Sequence, residues 1–166
     1  LENLPDNRTV FLDEERVNTR LRQSIPSACK VATGKDLTNL PKARKNKTQL
    51  EGWHRIQELD GAAMVRFWKW LEEQLPLGGQ TECTAADELE RFRRSQPDCT
   101  GLSFPSISAC GSNAAMMHYY PRPETCASLE VRGFYLIDSG GQYAGGTTDI
   151  TRTFALGELT DEERLD

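Results

Sequence analysis

Apolar residues recur at three- and four-residue multiples from Leu50 through Trp53, Ile56, Met64, Phe67, Leu71 and Leu75. That period predicts a long amphipathic helix whose single apolar stripe must lie on another element. Thr48 and Glu51 form a T-x-x-E capping box at its start, and the PLGGQ run from Pro76 to Gln80 breaks it. A second helix, capped by Thr81 or Thr84, buries Leu89 and Phe92 and ends before Pro97. The pattern then changes to short apolar runs, which predict strands over Leu102 to Ser108, Ala114 to Tyr120 and Phe134 to Ile137, with a further extended run from Thr147. Two helices followed by strand-rich sequence predict an α+β arrangement, an antiparallel sheet covered on one face by two helices. Upstream, Arg8 to Leu12 and Cys29 to Ala32 read as strands on either side of a polar helix over Asp13 to Arg22.

The candidate chemistry lies in the strand region. Phe134 to Ile137 runs into Asp138, then into the turn residues Ser139, Gly140 and Gly141. On the returning strand, alternation puts Asp149, Thr151 and Thr153 on one face and Ile150, Arg152 and Phe154 on the other. A hairpin here would let Asp138 and Asp149 meet at its mouth. Two carboxylates at a half-buried site repel each other unless they share a proton or a cation, and a hard divalent ion fits that need. Aspartates in glycine-rich turns also serve simply as loop formers. His118 lies in the apolar run AAMMHYY, where spacing alone reads it as a core or rim histidine, and His54 reads as a surface side chain. Trp53, Trp68 and Trp70 read as packing residues.

Composition narrows the class. The chain has 166 residues with 37% hydrophobic and 27% charged, enough for one domain with a real core. A formal charge of −5 gives no reason to expect nucleic acid. Only Pro41 to Lys47 is a basic cluster, read as a solvated linker, with a phosphate-binding patch as its alternative. No apolar stretch approaches bilayer length, and the N-terminus lacks the regions of a signal peptide, so no membrane partner is expected. The first residue is Leu1, as in a processed or trimmed chain. Five cysteines without a CxxC pair read as reduced thiols, which suits a cytoplasmic location.

The segments LIDSGGQY and GTTDITRT resemble the two metal-ligand strands of the aminopeptidase P branch of the pita-bread metallopeptidases, the family that also includes prolidase and methionine aminopeptidase. SFPSISACGSNAAMMHYYP and the helical segment from Pro41 carry the resemblance upstream, so it covers most of Pro41 to Asp166. It implies metal-assisted hydrolysis of peptides with a free N-terminus and proline in second position. It also implies two divalent ions, manganese first and zinc or cobalt as alternatives. Asp138 and Asp149 would be metal ligands, with Asp149 bridging the ions, and His118 would contact the substrate beside the scissile bond. The sequence departs from relatives at Gln57, where a histidine is common, at Ser112, where proline is common, and at Gly145, where aspartate is common.

Thr160 with Asp161, Glu162 and Glu163 reads as a helix start, yet the sequence ends at Asp166. The family's other ligands, one histidine and two glutamates, would lie beyond. The expectation is therefore a fragment: residues 1–41 as the end of a preceding α/β domain, and 42–166 as the first half of a pita-bread catalytic domain, inactive alone. An uncovered half-fold could pair as a homodimer. A non-catalytic binding or scaffold module is the alternative function, and a prolidase-type dipeptidase the alternative enzyme.

Overall fold

The structure, a computed structural model, describes residues 3–165 and divides into two compact units, one ending at Asn46 and the next beginning at Lys47. That division falls later than the break expected at residue 41, because Asn39–Ala43 forms a short helix instead of a linker.

The first unit is a small βαβ arrangement. Strands β1 (Thr9–Leu12) and β2 (Lys30–Thr33) pair in parallel, with α1 (Thr19–Gln23) between them and α2 (Asn39–Ala43) following. The helix expected over Asp13 to Arg22 is reduced to α1. Asp13 instead builds a turn, its Oδ1 accepting from the Glu15 amide at 3.0 Å and its Oδ2 from the Asp36 amide at 3.0 Å. An aspartate that captures nearby amides offers the backbone an alternative to helix. Asn18 then caps α1, accepting from the Leu21 amide at 2.9 Å.

In the second unit, α3 (Lys47–Gln74) leads through a 3-10 turn at Leu75–Leu77 to α4 (Glu82–Arg94). Ile56, Met64, Phe67, Leu71 and Leu75 of the predicted stripe are buried. Leu50 and Trp53 are exposed, so the buried stripe begins at Ile56, nearly two turns later than its period suggested. Thr81 and Thr84 act together in a capping box at α4, with Thr81 accepting from the Thr84 amide at 3.2 Å and Thr84 from the Thr81 amide at 2.8 Å. Thr81→Ala is expected to lower stability by about 0.5–2 kcal/mol, read as a shift in the urea midpoint with an unchanged slope.

The strands form two antiparallel sheets. One has the order β3–β6–β7 (Cys99–Leu102, Gly141–Tyr143, Gly146–Thr147) and the other β4–β5–β8 (Ile107–Cys110, Phe134–Ser139, Ile150–Ala155). The strand expected over Leu102 to Ser108 is thus split, its ends serving different sheets. The strand expected over Ala114 to Tyr120 does not form. One helical turn, α5 (Gly111–Ala114), passes into successive turns closed by Met116 N–H to Asn113 O at 3.1 Å and Tyr119 N–H to Met116 O at 3.2 Å. The reciprocal cap at Thr160 and Glu163 is made, at 2.8 and 3.2 Å, but the segment is a turn, not a helix.

The core packs α3 and α4 on one face of β4–β5–β8. Phe67, Leu71 and Leu89 meet Tyr135 and Ile137, while Trp68 stacks on Phe154 at 3.9 Å between ring centroids. Burial of such side chains stabilises by about 1.5–3 kcal/mol each. Strand alternation then turns Leu136, Asp138 and Thr151 to the opposite face, away from the helices.

One buried ion pair ties the layers together. Arg93 of α4 donates to Asp60 of α3 through Nε at 2.8 Å and Nη2 at 3.0 Å, and the Tyr143 hydroxyl of β6 donates to Asp60 Oδ1 at 2.8 Å. Among the described residues, no helix is long and apolar enough to cross a membrane.

Candidate functional site

Asp138 sits near the end of β5, where the ladder to β8 places Thr151 directly opposite it. Residues facing one another across an antiparallel pair share a face. Asp149 lies one residue before the first residue of β8, Ile150, and is exposed. The backbone on both sides of it is held. Thr148 exchanges bonds with Gly141 and its carbonyl accepts from the Ser103 hydroxyl at 2.9 Å, while Ile150 is paired with Ser139. Gly140, at the corner, has no room for a side chain: a Cβ there would lie 2.0 Å from the Thr148 carbonyl oxygen. The close approach at this corner sets the spacing between the two aspartate-bearing segments.

His118 follows the turns after α5, with a left-handed backbone (φ 59°) that non-glycine residues adopt sparingly. It lines a cavity of about 220 Å³ together with Asp138, Thr151, Leu136, Met116 and Met117. The structure thus brings His118 and Asp138 to one cavity, and Asp149 is not among its lining residues.

Asp138 Oδ1 is buried and accepts no hydrogen bond. A carboxylate oxygen withdrawn from water without a donor is costly, and a bound cation is one of the few arrangements that relieves it. Oxygen donors of this kind suit a hard divalent ion. Among the described residues no group of three or more His, Cys, Asp or Glu could by itself hold a metal ion; the buried Asp138 oxygen alone has the character of a cation ligand.

The segment carrying His118 is anchored from behind by Glu82, which sequence reasoning passed over. This carboxylate is fully buried at the first turn of α4. It accepts from the Cys110 amide at 2.7 Å, from Asn113 Nδ2 at 3.0 and 3.2 Å, from the Tyr119 hydroxyl at 2.7 Å and from the Ala127 amide at 2.9 Å. Burial alone would raise its pKa, but these donors outweigh burial and hold it below the ordinary glutamate value. The Tyr119 phenol is correspondingly raised, by burial first and then by Glu82. An acid directly after a capping threonine reads from sequence as a helix-dipole partner, and nothing in the spacing announces its distant donors.

At Gly145 the departure from the family's aspartate has a packing counterpart. A Cβ there would lie 3.1 Å from the Gly52 carbonyl oxygen and 3.1 Å from Ile56, so the tip of the β6–β7 hairpin rests on α3 backbone to backbone.

Comparison with known proteins places this geometry. The model for metallopeptidase family M24 matches residues 51–165. The chain is 41% identical over 156 residues to a probable Xaa-Pro aminopeptidase P of Botryotinia fuckeliana, covering 93% of the chain and 24% of that relative. To a probable Xaa-Pro aminopeptidase P of Laccaria bicolor it is 51% identical over 124 residues, 74% of the chain and 19% of the relative. The crystal structure of X-prolyl aminopeptidase from Caenorhabditis elegans, described as a cytosolic enzyme with a di-nuclear active site, superposes with a TM-score of 0.83 at 35% identity, covering 93% of this chain and 25% of that one. The chain therefore spans about a quarter of the length of such relatives. The α+β architecture with antiparallel sheets is that of part of a pita-bread enzyme, as the resemblance implied. With the family model matching residues 51–165, and the hairpin aspartates and His118 inside that match, this chain belongs to metallopeptidase family M24.

Proposed function

We propose that this chain contributes one wall of the active site of a metal-dependent aminopeptidase that removes an N-terminal residue preceding proline. In this reading Asp138 and Asp149 are ligands of two divalent ions, with manganese the expected metal, and His118 contacts the substrate beside the scissile bond. The observation that carries it is the buried Asp138 Oδ1, which has no hydrogen-bond donor and belongs to a cavity shared with His118. The names of the relatives favour an aminopeptidase over a dipeptidase.

Bound cations would supply the positive charge that polarises a scissile carbonyl and acidifies water. The chain's own residues do the rest. Asp138 and Asp149 hold their carboxylates on restrained backbone, which limits the reorganisation needed when charge develops. His118 offers an imidazole that can donate a hydrogen bond to a substrate oxygen or pass a proton near neutral pH. His118, with its left-handed backbone, directly precedes Tyr119, whose hydroxyl donates to Glu82.

The test is release of the N-terminal amino acid from an Xaa-Pro peptide, in the presence of manganese, by a full-length enzyme carrying this segment, since the segment alone is expected to be inactive. Asp138→Ala and Asp149→Ala are each expected to lower the rate by more than about 100-fold, the upper end of what loss of a residue behind a metal ligand costs. Full activity in either variant overturns the assignment. Isothermal titration with manganese gives a second readout, with heat of binding lost in Asp138→Ala. The reading includes a cytoplasmic location, in line with the five free thiols and the cytosolic nematode relative. It also includes pairing of two copies, which sedimentation of a monomer at high concentration would exclude.

A further inference from the structure

The N-terminal edge of α4 runs antiparallel to the segment after Thr125. Thr81 and Ser128 form a bridge, the Glu82 amide donates to the Ala127 carbonyl at 3.0 Å, and the Leu129 amide donates to the Gln80 carbonyl at 2.8 Å. Carried on by one more pair, that register sets Cys83 opposite Cys126. The two side chains lie near enough to shift each other's titration, Cys83 upward and Cys126 downward. Both cysteines are partly exposed, and Cys83 opens onto a cavity of about 260 Å³ shared with Tyr120, Pro121 and Pro123.

We propose that Cys83 and Cys126 are an oxidation site, a dithiol that closes to a disulfide under peroxide and so pins the segment carrying His118 to the start of α4. The two cysteines have different parts. Cys126 is the attacking sulfur, because the hydrogen bond from Cys83, set against burial and joined by the Cys83 amide and Thr81 hydroxyl, holds its pKa below the ordinary thiol value. Cys83 is the resolving sulfur, kept protonated at neutral pH by burial first and then by Cys126, with its pKa pushed up to about 12. Cys110, raised to about 11 by burial and Glu82, is a poor competitor, and Cys29 belongs to the other unit.

The Cys126 thiolate attacks one oxygen of hydrogen peroxide, the O–O bond breaks, and the hydroxide released takes up a proton to leave as water. Cys126 is then a sulfenic acid. The Cys83 sulfur attacks it, the S–O bond breaks, and the departing hydroxide carries off the Cys83 proton as a second water. Two thiols are oxidised by two electrons and one peroxide is reduced to two waters.

The experiment treats the purified chain with one equivalent of hydrogen peroxide, digests it without reductant and maps linked peptides by mass spectrometry. The expected result is a Cys83–Cys126 link in excess of every other pairing, reversed by dithiothreitol and lost in both Cys126→Ser and Cys83→Ser. Cys83→Ser should trap sulfenic acid at Cys126, detectable with dimedone, which keeps the test open if Cys126→Ser fails to fold. Amide exchange across 111–127 should slow in the oxidised protein. Linkage spread evenly over all cysteines, or oxidation of Cys126 to sulfinic acid with Cys83 left free, overturns the proposal.

Discussion

Arg93→Met is expected to destabilise the second unit by about 3–5 kcal/mol, because it leaves the Asp60 carboxylate buried without its cation. Both side chains are 0% exposed, and Asp60 would retain only the Tyr143 hydroxyl as a donor. Arg93 Nη1 already lacks a partner, so the pair carries a desolvation cost that its two bonds must offset. The double variant Asp60→Asn with Arg93→Met removes the charge and keeps an acceptor for Tyr143. It is therefore expected to recover most of the loss. Urea denaturation of wild type, each single variant and the double variant forms a complete cycle. Single variants within 1 kcal/mol of wild type, with no recovery in the double, would show that the pair does not brace the two helices and the hairpin as described.

Glu82→Ala should cost about as much and should also loosen the segment that presents His118. The Cys110 and Ala127 amides would lose their acceptor, and each buried donor left unpaired costs about 1–3 kcal/mol. Tyr119 and Asn113 would be released as well. Glu82→Gln keeps the shape and one acceptor oxygen, so it should cost less. A pH series separates the charge from the packing. Since the folded state holds the Glu82 pKa below the ordinary value of 4.5, its contribution is present in full above that value. It is lost as pH falls through the depressed folded value. The urea midpoint of wild type should thus drop more steeply below about pH 4.5 than that of Glu82→Gln. Parallel curves for the two proteins would mean that the carboxylate's ionisation contributes nothing, and amide exchange at 111–127 unchanged in Glu82→Ala would remove it as the anchor of His118.

Much of the fold was written locally. The helix period from Ile56 to Leu75, the Thr81 cap and the alternation from Ile150 to Phe154 each rest on interactions within a few residues and appear in the structure, whereas the run expected from Thr147 is broken, with Thr147 in β7 and β8 starting at Ile150. Asp60 was legible too, in hindsight: it stands four positions after Ile56 and four before Met64, on the stripe that is buried. The strand read into Ala114 to Tyr120 failed because its apolar residues answer to no sheet partner. Asn113 and Tyr119 are drawn instead to a glutamate more than thirty positions earlier.

The sequence by itself determined the two long helices, which face of β8 carries its threonines, and, through ordered motifs spread over most of the chain, the metallopeptidase family. Only the tertiary structure decided that Asp138 would present a buried oxygen without a donor, that His118 would share its cavity, and that Glu82 and the Asp60–Arg93 pair would be sealed inside. The physical reason is range. Helix period, capping and strand alternation are set by neighbours along the chain, whereas the solvation of a carboxylate depends on which distant groups arrive beside it when the layers close.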